Sequence, residues 1–168
     1  GLVLLGERQL NFLDKWTADW KGVEMKAVLS QTPFAGAAHL HGGPDPVKHR
    51  LHADMDSNGW PQTGRNNALK TIRKGFAVHL AGDQHLSTLL KHGIDEWNDG
   101  PWSIVSPAIV NSIYGRYWHP EDEKAGKNQP AGSVLPYTGE FFDGFNNKIT
   151  MHAYVNANEP ENLKNKAA

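Results

Sequence analysis

The sequence predicts an α/β fold in which mixed strands flanked by helices give way to antiparallel strands. Three observations carry that expectation. In the first half, apolar residues twice recur at three- and four-residue intervals and lead into a short continuous apolar run, which is helix followed by buried strand. Beyond residue 85 the apolar period changes to two, the mark of strands with one face buried. The 168 residues are 39% hydrophobic and include six Trp, enough to build the core of one ordinary domain.

Taken in order, residues 7–20 place Leu10, Leu13, Trp16, Ala18 and Trp20, joined by Phe12, mainly at helical intervals. This is an amphipathic helix whose apolar face requires a sheet to cover. Residues 25–29 form an apolar run bounded by Gly22 and by Ser30-Gln31-Thr32-Pro33, and fit a strand buried on both faces. Residues 33–64 collect much of the Gly, Pro, Asp, Asn and His and follow neither period. Connections of that length inside compact domains are usually functional. Residues 65–74 regain a helical pattern through Ala68, Leu69 and Ile72, with Gly75 in the helix-ending place.

The run at residues 76–81 then reads as a buried strand. Leu86, Thr88 and Leu90, residues 102–109, and Ile149, Met151, Ala153 and Val155 alternating with Thr150, His152 and Tyr154 read as antiparallel strands. No internal repeat or linker divides the chain, so residues 1–156 are expected to form one domain and residues 157–168 a polar tail.

Charge and composition exclude several partners. A formal net charge of -1 with interspersed acids and bases offers no local excess of Lys and Arg for wrapping duplex nucleic acid or an anionic membrane. No apolar run approaches the roughly 20 residues of a membrane span. The absence of cysteine excludes a disulfide framework and leaves the redox compartment open. Gly1 in place of Met, with neither a charged n-region nor a signal h-region after it, leads to the expectation that the chain begins inside a longer protein.

The stretch that carries chemistry is Ala81-Gly82-Asp83-Gln84-His85, where a carboxylate and an imidazole follow the buried run at two-residue spacing. If the strand stays extended, Asp83 and His85 project to one side; if the chain turns at Gly82, both lie at the strand's carboxyl end, where open α/β sheets place ligands. Either way the pair suits a hard metal ion such as iron, manganese, zinc or calcium. The plainer alternative is a strand-end cap beside a surface histidine. His39-Leu40-His41 is a second such pair in the long connection, able to hold a metal or a phosphate oxygen, or simply solvated.

Gln31 ends a buried strand and can serve a metal-bound water or nearby backbone. Arg65 stands in the first turn of the second helix, available to phosphate or facing solvent. Lys48-His49-Arg50 is a small basic cluster of the kind that is usually a solvated surface. His79, alternating with Val78 and Leu80, fits a hydrogen-bonded core histidine. Trp97, Trp102, Tyr114, Tyr117 and Trp118 either line a cleft or pack the sheet.

The order of parts resembles a known family. Leu5-Gly6-Glu7-Arg8-Gln9 opening a helix, Val28-Leu29-Ser30-Gln31 at a strand end, Asn58-Gly59-Trp60-Pro61 before a second helix, Ala81-Gly82-Asp83-Gln84-His85, and Gly139-Glu140-Phe141-Phe142-Asp143-Gly144-Phe145 before a last strand are together similar to the carboxyl-terminal half of PhoD-like alkaline phosphatases. That family belongs to the calcineurin-like metallophosphoesterases. The resemblance implies a partial sandwich of two central sheets flanked by helices, and hydrolysis of phosphate mono- or diesters at a multinuclear metal site.

By the same resemblance Gly82-Asp83-Gln84-His85 matches the family's Gly-Asp-x-His motif. His85 would hold an iron-type ion and Asp83 a neighbouring calcium or similar cation, with manganese and zinc as alternatives. The family's other ligands lie in segments before this chain starts, so the missing amino-terminal half, or a complementing chain, is the implied partner, and the isolated chain is expected to be inactive. Asn58 stands where many relatives carry an acid, which leaves its loop's substrate contacts open, with Asp54 and Asp56 close by. Family members are commonly exported, so a periplasmic or extracellular location is implied. The competing expectation is a binding or structural half-domain without turnover, or one half of a split enzyme.

Overall fold

In the computed structural model the described residues are 2–38, 40–41, 54–107, 116–120 and 126–156. The first helix, α1 (Glu7–Ala18), starts where the sequence places it. Gln9 Oε1 accepts the Gly6 N–H at 3.0 Å, and Glu7 in the first turn opposes Lys15 in the last, as the helix dipole favours. It stops two residues short of Trp20. Lys26, buried in strand approach, donates its ammonium to the carbonyls of Trp16 and Thr17 and lies 4.5 Å from the Trp20 ring centroid, so a cation closes the helix's negative end.

The chain continues through β1 (Ala27–Ser30) and β2 (Leu40–His41) to α2 (Gln62–Arg73), which begins three residues earlier than the periodicity indicates and ends before Gly75. Gly75 packs against α1, since a Cβ there would lie 2.9 Å from Thr17 Cγ2. Six further strands follow: β3 (Val78–Ala81), β4 (Ser87–His92), β5 (Trp102–Val105), β6 (Arg116–Tyr117), β7 (Gly139–Phe142) and β8 (Lys148–Val155). The main sheet runs β1-β3-β5-β4-β8-β7, and β2 pairs with β6 in a separate ribbon.

The fold is therefore α/β with one mixed six-stranded sheet. One strand corrects the sequence reading. β5 is antiparallel to β4, as expected, but it is also parallel to β3, so the parallel and antiparallel halves meet at β5. Alternation of side chains cannot distinguish the two directions.

A single face of the sheet is covered. Val28 packs with Leu4, Leu5, Leu13 and Trp16 from the α1 side and with Leu69 and Ile72 of α2. Farther along that face, Leu90, Ile149 and Met151 lie against Ala35, Ala37, Ala38 and Trp118. Beneath the helices runs a polar seam. Ser30 Oγ gives its proton to Thr32 O at 2.5 Å, which makes His79 Nε2–H the donor to Ser30 Oγ at 2.7 Å and leaves His79 Nδ1 to accept from the Ser103 hydroxyl at 2.8 Å. The core histidine expected at position 79 is found, with burial pushing its pKa down to about 4.

The opposite face is apolar and open. Leu29, Leu80, Ile104, Leu89 and Ala153 are successive register partners on five adjacent strands. Leu29 is 77% exposed, and Leu80, Leu89 and Ile104 are all exposed.

Candidate functional site

The parallel strands β1, β3 and β5 end along one edge of the sheet. A Cβ on Gly82 would stand 3.9 Å from Gln31 O and 4.0 Å from Ser106 O, so the chain leaves β3 closely flanked by both neighbours. It turns there instead of staying extended. Gln84 N–H donates to Gly82 O at 2.9 Å, and Asp83 and His85 take left-handed φ of 71° and 51°. Asp and His are among the few non-glycine types that enter this region readily, at a cost of about 1 kcal/mol or slightly more each. The second of the two geometries weighed for this motif is the observed one.

Three segments distant in sequence close on this turn. The residues before α2 bring Asp54 and Asp56, with Asp56 N–H donating to Asp54 Oδ1 at 3.1 Å. Burial first, and then the charges of Asp56 and Asp54, raise the Asp83 pKa above the ordinary carboxylate value, while His85 and Arg116 act to lower it. Arg116 Nη1 donates to Asp54 Oδ2 at 2.6 Å, and Arg116 N–H donates to His85 O at 3.4 Å. In the β2/β6 ribbon the register partner of Arg116 is His41, so the second histidine motif is carried to the same edge.

The other expected site residues are placed unevenly. Gln31 is exposed at the end of β1, and Asn58 lies beside it on the wall of a cleft of about 660 Å³. Asn58 Nδ2 donates to Thr32 O at 3.1 Å and Asn58 N–H to Pro33 O at 3.0 Å, which fixes the exit from β1. Arg65 is buried, not solvent-facing: Nε donates to Phe34 O at 3.0 Å, Nη1 to Gly93 O at 2.6 Å and Nη2 to His92 Nδ1 at 3.2 Å. Its guanidinium is committed to the core, and burial lowers its pKa to about 10 despite Asp143 and Asp99. Tyr117 and Trp118 are core residues, and Trp97 stacks near Phe142 at 5.3 Å, so these aromatics pack the fold. His39, Lys48-His49-Arg50 and Tyr114 lie outside the described residues, as does the segment 157–168.

Arg116 had no signal in the sequence, because its partner Asp54 is 62 positions away. The acidic pair had a faint one, two aspartates at alternate positions just before a helix.

Chemically the edge offers hard oxygen and imidazole donors, the set that hard and borderline metal ions take. Gln84, buried between Asp83 and His85, has neither amide atom hydrogen-bonded among the described residues, so the turn holds polar capacity still to be satisfied. No group of three His, Cys, Asp or Glu side chains among the described residues is arranged to hold a metal by itself. The donor types fit a metal ion, and the number present is a partial set. Comparison with protein-family models, curated proteins and solved structures found no match.

Proposed function

We propose that this chain supplies part of the site of a metal-dependent hydrolase of phosphate mono- or diesters. The observation that carries the reading is the Gly82-Asp83-Gln84-His85 turn at the carboxyl edge of parallel strands, with the acidic residues 54–56 folded against it. Asp83 and His85 would hold the metal, iron with calcium by resemblance, or manganese or zinc. When bound, such ions supply an acidified water and positive charge for the phosphoryl oxygens.

The chain's own residues do the rest. Asp83 must be ionised to ligate, and its raised pKa makes protons compete with the metal as pH falls. Arg116 offsets the crowding of three carboxylates, and its link to His85 O holds the imidazole-bearing turn against the acidic loop. Further ligands, and a second sheet over the open face that completes the sandwich, would come from polypeptide outside these residues. No helix among the described residues is long and apolar enough to cross a membrane.

The test is hydrolysis of a nitrophenyl phosphate monoester and diester by the full-length protein, with metal content measured alongside. Asp83→Asn and His85→Ala should each lower metal content and abolish turnover while the fold survives. Near-normal turnover in either variant ends the reading. A second reading, a half-domain that binds without turnover, is favoured by the incomplete donor set and predicts a metal-free, cooperatively folded monomer.

A further inference from the structure

We infer that the free edge of β1 receives an extended, uncharged apolar strand from a polypeptide other than these 168 residues, with the cleft between α1 and β1 taking the side chains on one side of it. The inference deepens the partial-site reading and rests on it for the partner's role, though not for the contact itself.

β1 is the end strand of its sheet and pairs only with β3 among the described residues. Its outer N–H and C=O groups call for another backbone in extended form, which neither a helix nor a small apolar molecule supplies. Edge strands that stay unpaired are normally guarded by charge, proline or a bulge. Ala27-Val28-Leu29-Ser30 carries none of these, and the adjacent Lys26 is turned inward to the carbonyls of Trp16 and Thr17.

Both sides of the vacant strand position are apolar. On one side lies the cleft of about 660 Å³, with Leu5, Phe12, Leu13, Val28 and Phe34 on its wall. On the other, Leu29 begins the open row that continues through Leu80, Ile104 and Leu89. A strand seated there alternates its side chains between two apolar surroundings, so both of its faces must be apolar. Arg8 is the single charged residue on the cleft wall, so a basic occupant is repelled and an acidic flank is accommodated.

A second copy fits less well. Five strands spaced about 4.8 Å apart, with four residues each rising about 3.3 Å, give the open row a footprint of roughly 300 Å². That is well under the roughly 800 Å² per partner of a stable dimer. Edge, cleft and face together are needed, and a strand that is part of a larger layer reaches all three.

The experiment adds a synthetic peptide with a Val/Ile core and flanking glutamates to the chain, and follows amide hydrogen exchange at Ala27–Ser30. Slower exchange by about tenfold or more is expected there, and Leu29→Lys should weaken peptide binding at least about tenfold. Because Leu29 is exposed in the free chain, the variant's melting temperature should not move. Unchanged exchange, or equal binding by the Leu29→Lys variant, overturns the inference. Sedimentation showing a dimer that excludes the peptide and dissolves on Leu29→Lys overturns it in favour of a second copy. Asp83→Asn should bind the peptide like the parent chain, so failure of the metal reading leaves this result standing.

Discussion

Arg116 donates to Asp54 across 62 residues of sequence, Nη1 to Oδ2 at 2.6 Å, with side-chain exposures of 11% and 17%. This one ion pair joins the acidic residues 54–56 to the ribbon that touches the His85 backbone. A pair so sheltered is stronger than a surface salt bridge and costs more to break, because the survivor keeps its desolvated charge.

Arg116→Gln should therefore destabilise the fold by about 1–3 kcal/mol. It should also move the Asp83 pKa further upward, since the guanidinium is one of the two charges holding it down. Carbon-detected NMR titration of the Asp83 carboxyl checks the direction. A downward movement would show that Arg116 does not act on this group.

Stability should fall as the solution is acidified from neutral pH. The His79 pKa is lowered from 6.5 to about 4, so the unfolded chain binds more protons than the folded one between those values. The stabilisation is complete above the unfolded pKa and is lost as pH drops from about 6.5 toward 4, reaching about 3 kcal/mol for His79 alone. His92, pushed down by burial and then by Arg65 and His79, adds in the same direction. Urea denaturation at pH 7 and pH 4.5 measures the loss, and His79→Gln should flatten it.

Asp83 presents the reverse case. Its raised pKa means that the folded state disfavours its ionised form, so Asp83→Asn should leave thermal stability unchanged or slightly higher while removing a metal donor. Asp83→Gly also suits the positive φ of 71°, whereas Asp83→Ala should cost about 1 kcal/mol relative to glycine for that backbone alone. Calorimetric melting temperatures of the three variants, with equal values for Ala and Gly as the adverse outcome, decide it.

Lys26→Met should lower stability by about 1–3 kcal/mol, because two helix carbonyls lose a charged donor inside an apolar wall. The urea midpoint gives the value. A neutral result would mean that the methionine packing replaces what the ammonium contributes.

Much of the fold was legible because each helix and strand had its own period. Leu13 and Trp16 of α1, Ala68, Leu69 and Ile72 of α2, and Ile149 and Met151 of β8 fall on covered faces where their spacing places them. The strand direction of β5 was not legible, since parallel and antiparallel neighbours impose the same alternation. Nor was the burial of Arg65, whose carbonyl partners Phe34 and Gly93 come from loops flanking other elements. At the candidate site the motif fixed the position of Asp83 and His85 at a strand end, but the turn at Gly82 and the approach of Arg116 depend on tertiary contacts that no local pattern encodes.

The uncovered row from Leu29 to Ala153 also bears on the life of the protein in a cell. A copy without its covering layer displays the kind of continuous apolar surface that chaperones hold and proteases clear. Its abundance is then governed by the supply of the covering polypeptide, and overproduction of this chain alone raises turnover and inclusion-body formation more than it raises the working pool.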